Sequence, residues 1–221
     1  MRCGSSSIFR HLGAHPGVHG SQRKETYFFD QHYERGWTWY EDVLGRPAAG
    51  QVVFEATPSY LADERAVRRI ATDLPEASLI VCLRDPVERA HSHYWMNAAT
   101  RKEPLDLESA LDAERRGEVA LDATGPGRRY LRDGFYGPQL RHLFSLVPRS
   151  QVEVVFFEDY VRDPDAEMAK LIGALGLPPE PGLRSPGRVN RYQRFRSVSL
   201  RYRTKRLPPG LRRLVGRLNR V

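Results

Sequence analysis

Short apolar runs alternate along the chain with segments in which apolar residues recur every three or four positions. Three runs rich in β-branched or aliphatic residues predict buried strands, at Gln51–Glu55, Ala77–Leu83 and Val152–Phe157. The helical spacing predicts helices at Gly4–Leu12, Tyr33–Leu44, Asp63–Asp73, Pro86–Ala99, Leu107–Arg116, Tyr136–Val147 and Asp163–Gly176. This alternation predicts an α/β fold with a doubly wound, mostly parallel sheet, helices on both faces and a ligand crevice at the carboxyl ends of the strands.

Two segments interrupt the pattern. The stretch through Pro16 and Gly20 has no clear period and is predicted to be a loop. The stretch from Gly117 to Arg128 contains three glycines and a proline among charged residues, which predicts a flexible surface loop. A loop of this kind is a candidate to shape the pocket of a substrate.

Length and composition fit one soluble globular domain. The chain has 221 residues, of which 40% are hydrophobic and 28% are charged. No apolar stretch approaches the roughly 20 residues of a membrane span, and the first residues lack the layout of a signal peptide. Cys3 falls in a loop and Cys82 in a predicted buried strand, so we expect free thiols and a reducing, cytoplasmic location.

The net charge of +8 is concentrated in a tail. Residues 182–221 contain 13 Lys and Arg and no acidic residue, so residues 1–181 carry 22 basic against 27 acidic groups. We therefore predict a domain over residues 1–181 and a separate basic tail over 182–221. The tail shows no DNA- or RNA-reading module, so no nucleic acid is expected as a partner. Its last residues, Pro209–Val221, form an amphipathic pattern that predicts a helix, either on an anionic membrane surface or docked on the domain.

An arginine at a strand end and a hydroxyl eight residues later form the first chemical motif. Arg84 follows the apolar run that ends at Leu83, and Pro86 suits the first turn of a helix in which Ser92 lies two turns in. The two side chains could bind an anion together. Taken alone, the Arg-Asp-Pro triplet is more typical of a salt bridge between Arg84 and Asp85 with Ser92 exposed, and the eight-residue spacing to Ser92 is what favours an anion site.

The chain opens with a second candidate for anion binding. Arg2 precedes Cys3 and Gly4, and three serines, Ser5, Ser6 and Ser7, then begin a predicted helix. Glycine lets the backbone approach an anion, and the amide groups and dipole at a helix start favour negative charge. A serine run is also typical of an ordinary helix cap.

The third motif carries a carboxylate beside aromatic residues. Lys24 and Glu25 precede Thr26, and Tyr27, Phe28 and Phe29 follow. Such neighbours would partly desolvate the Glu25 carboxylate, as is typical of a general base. Taken alone, the stretch is also typical of a polar surface step before an aromatic strand. No His/Cys cluster has the spacing of metal ligands, so no metal is predicted.

In this order, the three motifs resemble the PAPS-dependent sulfotransferases of the carbohydrate, heparan sulfate-like type, in a bacterial-looking form; PAPS is 3'-phosphoadenosine 5'-phosphosulfate. The resemblance implies a P-loop-like fold over roughly residues 2–177 and PAPS as donor. It implies that Glu25 is the catalytic base and that Lys24 holds that carboxylate or the acceptor. It further implies donor-binding roles for Arg2, Gly4, Ser5, Ser6, Ser7, Arg84, Ser92 and Tyr136.

The chain departs from the family pattern at two positions. Arg2 stands where the family commonly has lysine, and a guanidinium is a planar fork rather than a compact ammonium. Ala56 stands where many members have a lysine that assists the transfer, within the segment Glu55–Tyr60 beside the acceptor pocket. In a doubly wound fold a strand precedes the phosphate loop, so we also expect a native strand upstream of Met1.

The resemblance implies transfer of a sulfuryl group from PAPS to a hydroxyl or amine of a carbohydrate, a glycolipid or another small metabolite. Two other functions stay open from the sequence. A P-loop kinase or NTPase shares the fold class, although its usual glycine-rich signature and acidic strand end do not occur here. A non-catalytic nucleotide-binding or nucleic-acid-binding remnant is the other alternative.

Overall fold

The structure is a computed structural model, and it describes residues 1–119, 127–185 and 187. The chain divides into two compact units. The first combines Met1–Arg84 with the described residues from Phe135 onward, and the second consists of the described residues of Asp85–Gly134. The predicted amphipathic tail helix and most of the predicted basic tail lie outside the described residues, as does the middle of the predicted loop Gly117–Arg128.

The strands of the first unit form two parallel pairs. β1 (Val18–Gly20) pairs with β2 (Val52–Phe54), and β3 (Leu79–Leu83) pairs with β4 (Val152–Phe156). In the described residues no ladder joins the two pairs, so the predicted parallel sheet is present as two two-stranded parts. The prediction of a loop through Pro16 and Gly20 was wrong for β1, because three residues ending in glycine are too short to show a period of two.

The helices largely follow the predicted boundaries. The chain begins with α1 (Ser5–Leu12), α2 (Gly36–Leu44) and α3 (Glu64–Asp73) of the first unit. The second unit contains α4 (Pro86–Ala99) and α5 (Leu107–Arg115). The first unit then continues with α6 (Tyr136–Leu146), α7 (Phe157–Arg162) and α8 (Pro164–Ala174). Local chemistry sets several starts: Asp63 accepts a hydrogen bond from the amide of Ala66 at 3.3 Å, and Asp163 one from Ala166 at 3.0 Å. Pro86 and Pro164 each occupy the first turn of their helix. Helix α7 was not predicted, because Phe157 continues the apolar run of β4.

Alternate residues of β3 and β4 face two separate cores. Ile80, Cys82 and Val155 pack with α1 and α8 through a cluster that includes Ile8, Leu12, Met168, Leu171 and Ile172. Val81, Leu83 and Val152 pack on the opposite side with residues of α3 and α6, namely Val67, Leu140 and Leu143. Because successive strand side chains point to opposite faces, this division confirms the prediction of helices on both faces.

The second unit is organised around α4. Tyr94 and Ala98 pack against Ala110 of α5 and against Tyr130, forming an apolar core. One face of α4 is polar and fully buried, and its residues are spaced four apart: Arg89, His93 and Asn97. Asn97 donates to the hydroxyl of Tyr130 at 3.1 Å, and Tyr130 donates to the buried carboxylate of Glu103 at 2.8 Å. Among the described residues, no helix is both long and apolar enough to cross a membrane.

Candidate active site

A tight turn at Arg2–Gly4, called the phosphate turn here after its predicted role, opens the first unit. Gly4 adopts a left-handed conformation with φ of 86°, and helix α1 begins at the next residue, Ser5. The carbonyl of Gly4 accepts hydrogen bonds from the amides of Ser7 at 2.8 Å and Ile8 at 3.1 Å. Arg2 is also in the left-handed region, with φ of 66°. This turn therefore presents three serine side chains and the first amides of α1 at one helix start, which suits an anion.

A phenylalanine ring connects this turn to Arg84. A Cβ atom on Gly4 would lie 2.8 Å from Cδ2 of Phe157, so the turn packs against the ring at a distance that glycine alone allows. The guanidinium of Arg84 lies over the same ring, 4.7 Å from its centroid. Arg84 Nη1 also donates to the carbonyl oxygen of Arg2 at 3.4 Å. The structure thus brings Arg84 to the phosphate turn, through a residue that the sequence analysis had placed in a strand.

Tyr136 reaches the same turn from the start of α6. Its hydroxyl lies 3.6 Å from Sγ of Cys3, which is buried. Burial, together with the Cys3 thiol, raises the pKa of Cys82 to about 12, whereas the chain terminus and Lys24 act to lower it. The predicted residues Arg2, Gly4, Arg84 and Tyr136 consequently belong to one neighbourhood of the first unit.

Both carboxylate oxygens of Glu25 have partners. The Nζ atom of Lys24 donates to Oε1 at 3.2 Å, and the hydroxyl of Tyr27 donates to Oε2. The side chains of Lys24 and Glu25 are 21% and 26% exposed, so an acceptor from solvent can still reach the carboxylate. Glu25 and Tyr27 both have a positive φ, of 64° and 53°. The aromatic strand of the alternative interpretation does not form here, since Phe28–His32 make a π-helical turn.

A network of hydrogen bonds among polar side chains holds the backbone at Thr26 and Tyr27. The amide of Tyr27 donates to Oγ1 of Thr57 at 3.3 Å, and Thr57 Oγ1 donates to Oε2 of Glu55 at 2.7 Å. Thr26, which is buried, shares a hydrogen bond of 3.0 Å with the hydroxyl of Tyr60. Burial raises the pKa of the Glu55 carboxyl, and the hydrogen bond from Thr57 acts in the opposite direction.

Asp30 carries a second carboxylate in this region, and its Oδ1 atom is buried. It accepts a hydrogen bond from the hydroxyl of Ser59 at 2.6 Å, and burial raises the pKa of its carboxyl.

Sequence reasoning named the segment from Glu55 to Tyr60 as a neighbour of the acceptor pocket, but it did not anticipate the supporting roles of Thr57 and Tyr27. The one signal in the sequence was that each of these two hydroxyl-bearing residues lies two positions after a carboxylate, Thr57 after Glu55 and Tyr27 after Glu25.

Ser92 lies on α4 of the second unit and is partly buried. Asp85 caps this helix by accepting a hydrogen bond from the amide of Glu88 at 2.8 Å. The role of Ser92 in binding a 3'-phosphate stays a prediction from the resemblance. Within residues 1–119, 127–185 and 187, no group of three His, Cys, Asp or Glu side chains is arranged to hold a metal ion.

Residues 37–181 match the model of the sulfotransferase family. Heparan sulfate glucosamine 3-O-sulfotransferase 6 of Homo sapiens is 36% identical over 176 residues, which cover 79% of this chain and 49% of that protein. Heparan sulfate glucosamine 3-O-sulfotransferase 3B1 of Homo sapiens is 32% identical over 174 residues, with 79% and 43% covered. The chain thus spans about half the length, or less, of these curated relatives.

A solved structure shares the fold. The crystal structure of a sulfotransferase from Alicyclobacillus acidocaldarius superposes with a TM-score of 0.76 at 25% sequence identity. The match covers 86% of this chain and 83% of that one. Together with the parallel strands and the helices on both faces of β3 and β4, this match confirms the predicted P-loop-like α/β fold.

Proposed function

Because the chain belongs to the sulfotransferase family, we propose that it transfers a sulfuryl group from PAPS to a hydroxyl or amine of a carbohydrate. The printed names of several relatives specify heparan sulfate, which supports a glycan as the acceptor class. The observation that carries the proposal is the meeting of Arg84 and Tyr136 with the phosphate turn at Arg2–Gly4. Cationic, amide and hydroxyl donors converge there, as a nucleotide with two separate anionic groups requires.

The residues of the phosphate turn fit such a donor. The serines Ser5, Ser6 and Ser7 and the first amides of α1 would hold the 5'-phosphosulfate, with Arg2 adding positive charge. Arg84, already held by Phe157, would bind the 3'-phosphate with little further loss of side-chain freedom. PAPS supplies an activated sulfuryl group, whose bond to the 5'-phosphate breaks as the acceptor atom bonds to sulfur.

Glu25 is the group that takes the proton of the acceptor. Its carboxylate is accessible, and its two oxygens are oriented by Lys24 and Tyr27. Each carboxylate oxygen has two lone pairs, so one hydrogen bond to each leaves capacity to accept a proton. Removal of that proton makes the acceptor oxygen or nitrogen a stronger nucleophile in the in-line displacement.

A P-loop kinase or NTPase is less well supported. Those enzymes place an acidic residue at a strand end near the phosphate loop to hold Mg²⁺, whereas here β3 ends at Leu83 and is followed by Arg84. Isothermal calorimetry with 3'-phosphoadenosine 5'-phosphate (PAP) and with ATP–Mg²⁺ separates the two functions. We expect PAP to bind and ATP–Mg²⁺ to bind more weakly; the reverse order would overturn the proposal.

The role of Glu25 as the catalytic base is tested by measuring turnover. We expect the full chain to transfer ³⁵S-labelled sulfate from PAPS to heparan sulfate or to its N-desulfated form, and to hydrolyse PAPS slowly when no acceptor is present. Glu25→Gln should lower turnover by about 10²–10⁴-fold and leave PAP affinity unchanged, because a positioned base contributes about that factor. The matched control is Glu34→Gln, whose side chain is 94% exposed and lies outside the site. Equal turnover in Glu25→Gln and Glu34→Gln would remove Glu25 from the mechanism.

A further inference from the structure

Tyr27 occupies a backbone conformation that costs free energy. Its φ of 53° lies in the left-handed region, which bulky residues rarely adopt, and Glu25 two positions earlier has φ of 64°. A residue in this conformation persists only when its surroundings fix it. Strain of this kind accumulates at functional sites, and here it falls on the two residues that join through a side-chain hydrogen bond.

Tertiary contacts fix the turn at every step. The amide of Tyr27 is held by Thr57, whose hydroxyl is in turn directed at Glu55. Between the two strained residues, Thr26 is buried and bonded to Tyr60, and its Oγ1 accepts from the amide of Phe28 at 3.3 Å. Residues 30 or more positions away in sequence therefore hold the strained backbone. The backbone conformation that they hold places the Tyr27 hydroxyl in contact with Glu25.

We propose that Tyr27 is a positioning residue for the catalytic base, fixing the Glu25 carboxylate through its hydroxyl while Lys24 fixes the other oxygen. This inference rests on the proposed function, because it assigns to Tyr27 a role that has meaning only if Glu25 accepts the proton. The hydrogen bond stabilises the ionised carboxylate, which is the form that can act as a base. The hydrogen bond also fixes the orientation of the carboxylate group, so that every acceptor molecule meets it in the same geometry.

Tyr27 acts as a donor and not as a second base. Burial, followed by the hydrogen bond to Glu25, raises the pKa of the Tyr27 hydroxyl well above its ordinary value of 10.0. The phenol therefore keeps its proton throughout the pH range of an enzyme assay. A group that stays protonated can orient a carboxylate at any working pH, whereas it cannot compete with that carboxylate for the acceptor proton.

The test compares two tyrosines that both donate to carboxylates. Tyr27→Phe removes only the hydroxyl that contacts Glu25. Tyr33→Phe is the matched control, because the Tyr33 hydroxyl donates to Oδ2 of Asp73 at 2.7 Å, away from the proposed base. Rates of PAPS hydrolysis and of transfer to heparan sulfate are measured from about pH 5 to about pH 9, with PAP affinity measured in parallel.

In Tyr27→Phe we expect kcat near neutral pH to fall by about 10–100-fold, the size of a lost hydrogen bond to a charged group. The acid limb of the pH profile should move to higher pH, because the ionised carboxylate has lost a hydrogen-bond donor. The KM for PAPS and the PAP affinity should be unchanged. Tyr33→Phe should leave both the rate and the pH limb in place.

A third variant separates positioning from structural support. Tyr27→His retains a ring with an N–H donor, and histidine tolerates a positive φ better than most residues. It should recover part of the rate and bring the acid limb back toward the wild-type position. If Tyr27→Phe shows the wild-type profile, or if both variants lose activity with an unmoved acid limb, the inference is wrong.

The outcome for Glu25 keeps the two proposals distinct. If Glu25→Gln is as active as the wild type, the proposed base and the role of Tyr27 fail together. If Glu25→Gln is nearly inactive while Tyr27→Phe keeps the wild-type rate and pH limb, Glu25 remains the base and only the role of Tyr27 is overturned.

Discussion

Substitution of Gly4 by alanine tests the packing of the phosphate turn. An added Cβ would meet Cδ2 of Phe157 at 2.8 Å, a distance that real Cβ atoms do not adopt. The residue would also have to keep a φ of 86°. The left-handed conformation costs a non-glycine residue about 1–2 kcal/mol, and overpacking costs typically about 1–3 kcal/mol. We therefore expect Gly4→Ala to lower the free energy of unfolding by about 2–5 kcal/mol, a large fraction of a domain's margin.

A second glycine separates the two contributions. Gly50 has a similar φ of 81°, but no atom lies within 4 Å of the position of its Cβ. Gly50→Ala should therefore show only the backbone cost, about 1–2 kcal/mol. The assay is urea unfolding followed by circular dichroism, with PAP affinity measured by calorimetry on the folded variants. Gly4→Ala should also weaken PAP binding, because the ring of Phe157 must move.

The contact with Phe157 is confirmed by a double-mutant cycle. In Gly4→Ala/Phe157→Leu the smaller side chain leaves room for the new methyl group, so the destabilisation should be less than the sum of the single changes. If Gly4→Ala costs no more than Gly50→Ala, or if the effects of the two substitutions simply add, the close packing is not a property of the folded protein and the reasoning is refuted.

Two further predictions concern the donor site and the pH dependence of stability. Arg84→Ala should weaken PAP binding by about 2–3 kcal/mol, the size of two lost charge-assisted hydrogen bonds, whereas Arg10→Ala at the exposed end of α1 should not; equal affinities by calorimetry would contradict the assignment. Burial lowers the pKa of His11 from 6.5, so the folded state binds fewer protons than the unfolded state and stability is lost as the pH falls below 6.5. His11→Phe should flatten this part of the stability curve in urea titrations, and an unchanged slope would exclude His11 as its source.

Regular elements could be predicted where the sequence carries its own signals. Helix α4 begins at Pro86 and ends at Ala99, as predicted, because a capping Asp85 and a proline mark its start. The strands β3 and β4 were predicted because each is a run of five mainly apolar residues that includes β-branched side chains. Strand β1 and helix α7 were missed, because the first is too short and the second begins on an aromatic residue that extends an apolar run.

The candidate site could be predicted as a set of residue types but not as a geometry. Arg84 was identified from its place after a strand, yet its contact with the turn at Arg2 depends on Phe157, which is distant in sequence. The positive φ of Tyr27 has no local cause in the sequence, since Thr57 holds it from 30 positions away. Contacts of this range decide backbone conformations that propensity alone would not favour.

The order of the two units along the chain has a consequence for how this protein can diversify. The polypeptide leaves the first unit after Arg84 and re-enters it at Phe135, so the second unit is an insertion between β3 and α6. Arg84 contacts Arg2, and Tyr136, one residue past the point of re-entry, contacts Cys3. Both ends of the insertion thus lie next to residues that contact the phosphate turn. Inserts of different length and shape could be exchanged there by recombination, because the helices and strands of the first unit are complete on either side. Any such exchange has to retain α4, because the predicted donor-binding residue Ser92 lies on it, so the part of the insertion after α4 is the part left to vary.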